Sequence, residues 1–206
     1  RLDHDIICAG ERFGLHFANR ISQHGAVRVS SGRIEAELLD PASALAIFER
    51  IEHAPVRIEI NTVSNRYWTS ERDPSFPKEL YDSHIIKSDM RELIRCQPVV
   101  LFLVVGDAAD LEPIARMVNE TYRDVQAVMS SATSLELMPR GVSKGAALAK
   151  MYAGKRIFAI GDAPNDFEMF GKAERPYLVS DVACPVDVVR EPSILEALRD
   201  IERYLA

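Results

Sequence analysis

Apolar stretches that alternate with longer segments of helical period constrain the fold of this chain more than any other feature of its sequence. The apolar run Val99–Val105 is followed by helical spacing over Asp110–Tyr122, and Arg156–Ile160 is followed in the same way by Asn165–Lys172. Strands that alternate with helices are typical of α/β proteins with a parallel sheet. The sequence therefore predicts an α/β fold.

Closely spaced strand-like stretches in the middle of the chain depart from this alternation and predict a second, α+β unit inserted there. The other predicted elements are an apolar stretch suited to a strand at Ile6–Ala9, a hairpin of Ile21–Val29 and Ile34–Leu39, a helix at Pro41–Ile51, strands at Val56–Ile60, His84–Lys87, Val125–Met129 and Ser134–Leu137, a helix at Ser143–Tyr152, a strand at Tyr177–Val179 and a helix at Ser193–Leu205. The segment Asn61–Tyr81 receives no assignment.

The charge and hydropathy of the chain exclude several classes of partner. Its 206 residues include 25 Lys and Arg against 31 Asp and Glu, a formal net charge of −6, and no basic block that would suit a nucleic acid backbone. The longest apolar run, Val99–Val105, is far shorter than the roughly 20 residues that cross a bilayer. We therefore expect a protein that binds neither nucleic acid nor membrane.

The cysteines and the first residues bear on where the protein resides. Cys8, Cys96 and Cys184 form no CxxC pair, and an odd number of cysteines predicts reduced, buried thiols. No signal peptide is visible. We therefore expect a cytoplasmic protein. The chain begins at Arg1 rather than Met, and we expect that its start was removed or that it is a piece of something longer.

The segment after the strand at Arg156–Ile160 carries two carboxylates near a helix start. Asp162 follows Gly161 at the end of this strand, where ligands of parallel sheets bind, and Asp166 comes about one helical turn later. Two oxygen ligands beside a helix N-terminus suit Mg²⁺ and a phosphate. The alternative is an ordinary helix start with a cap and a first-turn acid, and both interpretations stay open.

Two observations show that residue spacing alone does not establish a phosphate or metal site. Gly106-Asp107 also follows an apolar strand and precedes a second acid, Asp110, without the neighbouring Asn. Lys144 lies in the first turn of a predicted helix, where the helix dipole disfavours a cation. An anion bound there would explain Lys144, and so would an ordinary solvated lysine after a Ser cap.

Three segments taken together resemble the haloacid dehalogenase-like (HAD) hydrolases, in particular the Cof-like sugar-phosphate phosphatases with a large inserted cap. They are Pro139-Arg-Gly141-Val142-Ser-Lys144-Gly145, Gly161-Asp162-Ala-Pro-Asn165-Asp166-Phe-Glu-Met169, and Ile21-Ser-Gln-His24-Gly25-Ala26, in which His replaces the Asn of the family's Asn-Gly-Ala. The resemblance implies a Rossmann-like parallel-sheet core, N-terminally incomplete in this chain, made of residues 1–26 and 139–206. Residues 27–138 would then form an inserted α+β cap.

The resemblance also implies roles for individual residues. Lys144 would bind the substrate phosphoryl group and contact the nucleophile, and Asn165 would hydrogen-bond near the phosphate. Asp162 would bind Mg²⁺, directly or through water, with Asp166 completing the acidic metal site. The implied activity is Mg²⁺-dependent hydrolysis of a small phosphorylated metabolite, a sugar phosphate, through an aspartyl-phosphate intermediate.

The nucleophile of that reaction is not identified in this sequence. The family's Ser or Thr of motif II would be expected near Ala9-Gly10-Glu11-Arg12, which has no hydroxyl, and the nucleophilic motif would lie before Arg1. Asp3 and Asp5 have the family's Asp-x-Asp spacing but no preceding apolar strand, and a pair of surface acids is the alternative. A catalytically impaired module that binds a ligand or partner within a larger polypeptide, and a phosphomutase, therefore remain alternative functions.

Overall fold

The apolar run at 99–105 forms one of the two central strands of a six-stranded sheet in a computed structural model of the protein, which describes residues 1–69, 85–87 and 89–206. The described residues divide into two compact units, Arg1–Val142 and Ser143–Ala206. The predicted boundaries of core and cap, at residues 26 and 139, stay predictions. The part of the predicted strand His84–Lys87 that falls on His84, and residues 70–81 of the unassigned segment, lie outside the described residues.

The first unit contains most of the elements. In chain order these are helix α1 (Asp3–Arg12), strand β1 (Asn19–Ser22), a 3₁₀ turn (Gln23–Gly25), β2 (Val27–Ser30), β3 (Arg33–Ala36), α2 (Pro41–Ile51), β4 (Arg57–Thr62), β5 (Arg66–Trp68), β6 (Ile85–Ile86), α3 (Met90–Cys96), β7 (Val99–Val105), α4 (Ala108–Thr121), β8 (Val125–Ser131) and β9 (Ser134–Pro139). The large sheet has the order β6-β5-β4-β7-β9-β8, and β1, β2 and β3 form a separate antiparallel sheet.

One face of the large sheet packs against helices and forms the main core. Ile60, Phe102 and Leu137 contribute to this cluster from β4, β7 and β9, with Ile47 of α2 and Val118 of α4. The opposite face of β4 is also buried, although the period-two pattern predicts a half-exposed strand. Glu59 lies there, fully buried, 2.9 Å from Arg57 and 3.5 Å from Arg66.

The hairpin predicted around Ser30-Ser31-Gly32 is present. Ser30 pairs with Arg33, and the two turn residues, Ser31 and Gly32, have φ values of 50° and 81°. A two-residue turn with both φ values positive matches the right-handed twist of the strands that it joins. The structure adds β1, which pairs with β2 on the other side.

The prediction of a strand at Ile6–Ala9 is wrong, because these residues lie within helix α1. A four-residue apolar run cannot be told from a helical segment by its periodicity. Ala9-Gly10-Glu11-Arg12 therefore forms the end of a helix rather than a loop after a strand. The position expected for motif II is thus not a strand end in this structure.

The second unit carries a small parallel sheet and the sequence of helices predicted for it. Its elements are α5 (Lys144–Met151), β10 (Phe158–Gly161), a 3₁₀ turn (Pro164–Asp166), α6 (Phe167–Phe170), β11 (Arg175–Leu178), β12 (Val189–Arg190) and α7 (Ile194–Leu205). The sheet has the order β10-β11-β12, with both pairs parallel. Parallel strands connected through helices confirm the α/β class.

Two further expectations can be compared with the structure. All three cysteines are free thiols, but Cys96 is exposed and the other two are half-buried, so the expected burial is wrong. Within the described residues, no helix has both the length and the apolar character needed to cross a membrane.

Candidate active site

The carboxyl end of strand β10 positions the predicted acidic segment. The chain leaves this strand at Gly161, and Val179, which follows β11, donates its backbone N–H to the Gly161 carbonyl at 2.9 Å. Ser180 donates its hydroxyl to the Asp162 carbonyl at 2.6 Å. These two hydrogen bonds join the loops that follow neighbouring parallel strands, where ligands of such sheets bind.

The Lys144 ammonium and the Asp166 carboxylate form the central contact of the site. Lys144 Nζ donates to Asp166 Oδ1 at 2.6 Å, across 22 positions of sequence. Asp166 is buried, whereas the Lys144 side chain retains 32% of its exposure. The ion pair therefore fixes an ammonium group that can still donate to a second anion from the solvent side.

Asp166 also holds the backbone of the loop that carries Asp162. Its Oδ2 atom accepts from the N–H groups of Asp162, at 3.1 Å, and Ala163, at 3.4 Å. These contacts make Asp166 an acceptor for a helix start as well as the partner of Lys144. The two interpretations left open by the sequence, a chemical site and a helix start, thus apply to the same residue.

Gly161 allows the close approach of Asp166. A Cβ atom at position 161 would lie 2.6 Å from Oδ2 and 2.7 Å from Cβ of Asp166, which is closer than non-bonded atoms approach. Any other residue at this position would displace the carboxylate that holds Lys144. The Gly-Asp pair of the motif therefore has a steric cause in this structure.

Helix α5 presents Lys144 through a capped N-terminus. Ser143 Oγ accepts from the backbone N–H of Ala146 at 2.9 Å. Gly145 lies against the backbone of Glu168, because a Cβ there would approach the Glu168 carbonyl oxygen to 2.7 Å. The first turn of α5 is thus packed directly on α6, which places Lys144 near the start of the acidic loop.

The oxygen atoms of the site fit the chemistry of Mg²⁺, which prefers carboxylate, amide and water ligands. Asp162 is exposed and can offer its carboxylate, and Asn165 carries a buried Oδ1 for which the described residues provide no hydrogen-bond partner. Such an orphaned acceptor is uncommon in folded proteins, and an ion, water or ligand bound at the site would satisfy it. The Asp166 oxygens, in contrast, are already engaged by Lys144 and the backbone.

The described residues contain no group of three or more His, Cys, Asp and Glu side chains that could by itself enclose a metal ion. A Mg²⁺ ion at Asp162 would therefore complete its shell with Asn165, water or phosphate oxygens. Mg²⁺ commonly retains several waters and binds through one or two carboxylates with substrate phosphates.

The two other candidate acids, Asp3 and Asp5, lie in the first turn of helix α1. Asp3 accepts two hydrogen bonds from the Arg20 guanidinium, at 2.7 and 2.9 Å. Asp5 is buried, accepts from the backbone N–H of Leu2 at 2.9 Å and lies 3.8 Å from Arg66. Both carboxylates thus support the local structure of the first unit, and their assignment as nucleophile and general acid stays a prediction.

The segment with His24 forms a buried turn in an uncommon backbone conformation. Gln23, His24 and Gly25 have φ values of 49°, 60° and 104°. The Gln23 amide donates to the Thr62 carbonyl at 2.9 Å, and His24 Nδ1 lies 2.7 Å from Glu136 Oε2. Side-chain contacts to β4 and β9 hold a left-handed turn that non-glycine residues rarely adopt.

Sequence reasoning missed Ser180, although a signal for it was present. It lies just after a strand of the parallel sheet, at the same sheet edge as Asp162. Polar residues at the carboxyl ends of neighbouring parallel strands are candidates for one site, so this position could have been included.

Comparison with known proteins identifies the family. The sequence model of the haloacid dehalogenase-like hydrolases matches residues 14–183, which is most of the chain. The protein belongs to this family. The match includes Lys144, Asp162, Asn165 and Asp166, so the site lies within the part of the chain that defines the membership.

One curated relative also matches part of the chain. The chain is 37% identical over 82 residues to an HMP-PP phosphatase of Klebsiella pneumoniae (strain 342), a match that covers 37% of this chain and 30% of the relative. The matched segment thus spans less than a third of the length of this curated relative.

Solved structures show the fold. A haloacid dehalogenase-like hydrolase from B. subtilis superposes with a TM-score of 0.73 at 22% identity, over 86% of this chain and 74% of the other. The HAD subclass IIB sugar phosphatase BT4131 superposes with a TM-score of 0.71 at 12% identity, over 98% of this chain and 81% of the other. The HAD fold is therefore common to proteins with little sequence identity to this one.

Proposed function

We propose that the protein is a Mg²⁺-dependent phosphatase that hydrolyses a small phosphorylated metabolite, a sugar phosphate, through an aspartyl-phosphate intermediate. The observation that carries the proposal is the hydrogen bond from Lys144 to Asp166, formed beside the loop that presents Asp162. It combines a fixed cation for a phosphoryl group with an exposed carboxylate for a metal ion. Family membership supports hydrolysis as the reaction class.

Each residue of the site has a distinct part in this proposal. Lys144 donates to a phosphoryl oxygen from the side of its ammonium group that Asp166 leaves open. Asp166 holds the Lys144 ammonium in place and fixes the backbone of the loop that carries Asp162. Asn165 orients water or phosphate through its side-chain amide. Asp162 holds Mg²⁺, which when bound supplies charge neutralisation and in-line positioning of the phosphoryl group.

Two relatives support the substrate class. One is named an HMP-PP phosphatase and the other a sugar phosphatase, so both names describe phosphatases and one of them names a sugar substrate. The net charge of −6 and the lack of a basic block agree with a small-molecule substrate rather than a nucleic acid. We further propose that the enzyme is cytoplasmic, because its three cysteines form no CxxC pair and no signal peptide is visible in the sequence.

The alternative is a module that binds a phosphorylated ligand or partner without turnover. The observation that favours it is the engagement of both candidate acids, Asp3 by Arg20 and Asp5 by the backbone of Leu2. A phosphomutase would use the same phosphate-binding groups and would differ in its product. Phosphate release from a sugar phosphate distinguishes the phosphatase from both alternatives.

Replacement of Asp162 tests the proposal. We expect Asp162→Asn to lower Mg²⁺-dependent hydrolysis of an aryl phosphate by about 10²–10³-fold, because the developing charge loses its metal-held stabilisation. Mg²⁺ binding, measured by calorimetry, should weaken in parallel. Asp187→Asn, an exposed acid of the same unit, serves as the matched control and should retain both properties.

Two results would contradict the proposal, the first for its metal-binding residue and the second for its activity. Undiminished turnover in Asp162→Asn would remove Asp162 from the site. Binding of Mg²⁺ and inorganic phosphate by the unsubstituted protein, without any hydrolysis of aryl or sugar phosphates, would favour the non-catalytic module.

A further inference from the structure

The loop that follows β11 is held by a side chain from the neighbouring strand β12. Arg190 donates from Nη1 to the Ser180 carbonyl and from Nη2 to the Val182 carbonyl, both at 2.9 Å. A guanidinium is planar and presents its donors in a rigid fork, so the two carbonyls are fixed relative to each other. One exposed side chain therefore holds the backbone on both sides of Asp181.

Backbone hydrogen bonds align this loop with the strands on either side of it. Arg190 pairs with Leu178 in the parallel ladder, and the Leu178 carbonyl accepts from the Glu191 N–H at 3.2 Å. Toward β10, the Val179 N–H donates to the Gly161 carbonyl at 2.9 Å. The sheet thus sets the position from which the Arg190 side chain reaches the loop.

Ser180 connects this loop to the acidic loop that follows β10. Its carbonyl accepts from Arg190, and its hydroxyl donates to the Asp162 carbonyl at 2.6 Å. A single side-chain torsion angle separates the hydroxyl of a serine from its backbone, so the hydroxyl can stay in place only while the backbone does. Arg190 therefore constrains the backbone of Asp162 through Ser180.

Both backbone polar groups of Asp162 are engaged, whereas its side chain is exposed. The N–H donates to Asp166 Oδ2 at 3.1 Å, and the carbonyl accepts from Ser180. A carboxylate on a backbone that is already ordered binds a ligand with a smaller loss of conformational entropy. Asp166 supplies one of these restraints from within the candidate site, and Ser180 and Arg190 supply the other from a neighbouring loop and strand.

We propose that Arg190 is a positioning residue for Asp162 and acts through Ser180. The inference rests on the proposed function in one respect, the binding of Mg²⁺ by Asp162. Residues that orient a metal ligand without touching the ion typically change metal affinity or activity by about 10–100-fold when they are replaced. The positive charge of Arg190 acts in the opposite direction, because a cation repels a nearby metal ion. Orientation and charge therefore predict different results for suitable variants.

Arg190→Lys separates orientation from charge. A lysine keeps the positive charge but lacks the rigid fork that joins two carbonyls. We expect Arg190→Lys and Ser180→Ala each to weaken Mg²⁺ binding, measured by calorimetry, by about tenfold. Ser180→Thr, which keeps the hydroxyl, should restore the affinity. Arg203→Lys, at an exposed arginine that donates to Asp200 in the same unit, is the matched control and should leave it unchanged.

The double variant tests whether the two residues act through one another. Residues in one hydrogen-bond network give non-additive effects, so Arg190→Lys combined with Ser180→Ala should weaken Mg²⁺ binding about as much as Ser180→Ala alone. Binding of inorganic phosphate in the absence of Mg²⁺ should stay unchanged in all of these variants, because Lys144 keeps its contact with Asp166. A general loss of folded protein would weaken both ligands together.

Hydrogen exchange gives a measurement that does not depend on a metal ion. Without Mg²⁺, Arg190→Lys and Ser180→Ala should both speed the exchange of the Asp162 and Ala163 N–H groups and leave exchange in helix α7 unchanged. Undiminished Mg²⁺ affinity in Arg190→Lys, additive losses in the double variant, or unchanged exchange at Asp162 overturns the inference. If the unsubstituted protein binds no Mg²⁺, the proposed function fails instead, and the exchange rates still decide the role of Arg190.

Discussion

The Asp166 carboxylate divides its two oxygen atoms between a side chain and the backbone. One oxygen accepts from Lys144, and the other accepts from the N–H groups of Asp162 and Ala163. A single buried carboxylate therefore couples the position of the ammonium to the conformation of the acidic loop. Loss of either contact would change the other, because a buried charge without its partners is strongly unfavourable.

Gly161→Ala should disrupt both contacts at once. The added methyl group would lie within 2.7 Å of Asp166 atoms, so the carboxylate or the backbone must move. We expect a stability loss of about 1–3 kcal/mol, as for overpacked sites, and weaker binding of inorganic phosphate. Chemical denaturation and calorimetry measure the two effects.

Gly171→Ala provides the control for this substitution. A Cβ at position 171 would meet its nearest atoms at 3.5 and 4.0 Å, which is ordinary contact, and the glycine does not have a positive φ. Phosphate binding should therefore stay unchanged. Equal losses of phosphate binding in both variants would show that the close approach at Gly161 does not control the site.

At the scale of residues, the sequence motifs select four candidate residues but contain no information on the contacts between them. Lys144, Asp162, Asn165 and Asp166 were all selected from motifs, and the structure brings Lys144 together with the acidic loop. The division of the Asp166 oxygens depends on how α5 packs on α6, through Gly145 and Glu168. Local spacing contains no information on that packing.

Serine caps define the starts of two helices in the second unit. Ser143 accepts from Ala146 at the start of α5, and Ser193 accepts from Glu196 at the start of α7. The two caps are chemically equivalent, but only Ser143 precedes a residue of the candidate site. Replacing each serine in turn therefore distinguishes the effect of a cap on helix stability from its effect on the position of Lys144.

Ser143→Ala and Ser193→Ala should each lower the free energy of unfolding by about 1 kcal/mol, because an orphaned backbone N–H loses its acceptor. Only Ser143→Ala should also weaken phosphate binding, since it releases the first turn of α5. Thermal unfolding and phosphate titration measure these effects. If Ser193→Ala weakened phosphate binding as much, the effect would be one of global stability.

At the scale of elements, long periodic segments were predictable and short apolar ones were not. Helix α2 was predicted with the bounds that the structure has, because Pro41 and helical apolar spacing agree over several turns. Helix α3 was missed, although Asp89 caps it and Met90, Leu93 and Ile94 form its buried side. Seven residues are too few for periodicity alone to establish a helix.

Burial of strand β4 shows a different limit of sequence patterns. Glu59 occupies a position that alternation over Val56–Ile60 assigns to solvent, but it is fully buried. Arg57 and Arg66 lie close enough to balance the Glu59 charge, and burial lowers the pKa of Arg66 against the opposing effect of Glu59. Arg57 belongs to the same strand as Glu59, but Arg66 belongs to β5, and the pattern of one strand cannot show a partner on another.

At the scale of the whole molecule, two ion pairs of the second unit contain carboxyl groups with a lowered pKa. Arg175 donates to Asp200, and Arg156 donates to Glu174, with Tyr177 and Tyr204 as further donors. Hydrogen bonds from Arg175 and then Tyr177 lower the pKa of Asp200, and those from Arg156 lower the pKa of Glu174. Strand ends and the C-terminal helix are joined by these contacts.

The lowered pKa of Asp200 predicts how stability depends on pH. A carboxyl with a lowered folded-state pKa stabilises the protein above its unfolded pKa of about 3.9, and this contribution is lost as the pH falls through the folded-state pKa. Asp200→Asn should therefore be less stable than the unsubstituted protein at pH 7. The difference should shrink as the pH falls below about 4.

Denaturant titrations between pH 7 and pH 3 measure this convergence. Asp187→Asn, at an exposed acid of the same unit, is the control and should follow the unsubstituted protein throughout. A stability difference for Asp200→Asn that stays constant over the whole range would show that ionisation of Asp200 is not linked to folding.

The residues of the candidate site are close together in sequence, so only a short segment of chain must be ordered to bring them into contact. Lys144 and Asp166 are 22 positions apart, and Asp162 and Asn165 lie between them. The entropic cost of closing a flexible loop grows only with the logarithm of its length, about 0.6 kcal/mol for each doubling. Lengthening the exposed turn after α5, around Gly154, would therefore cost the Lys144–Asp166 contact little, and the loop could accept inserted residues without separating the two charges.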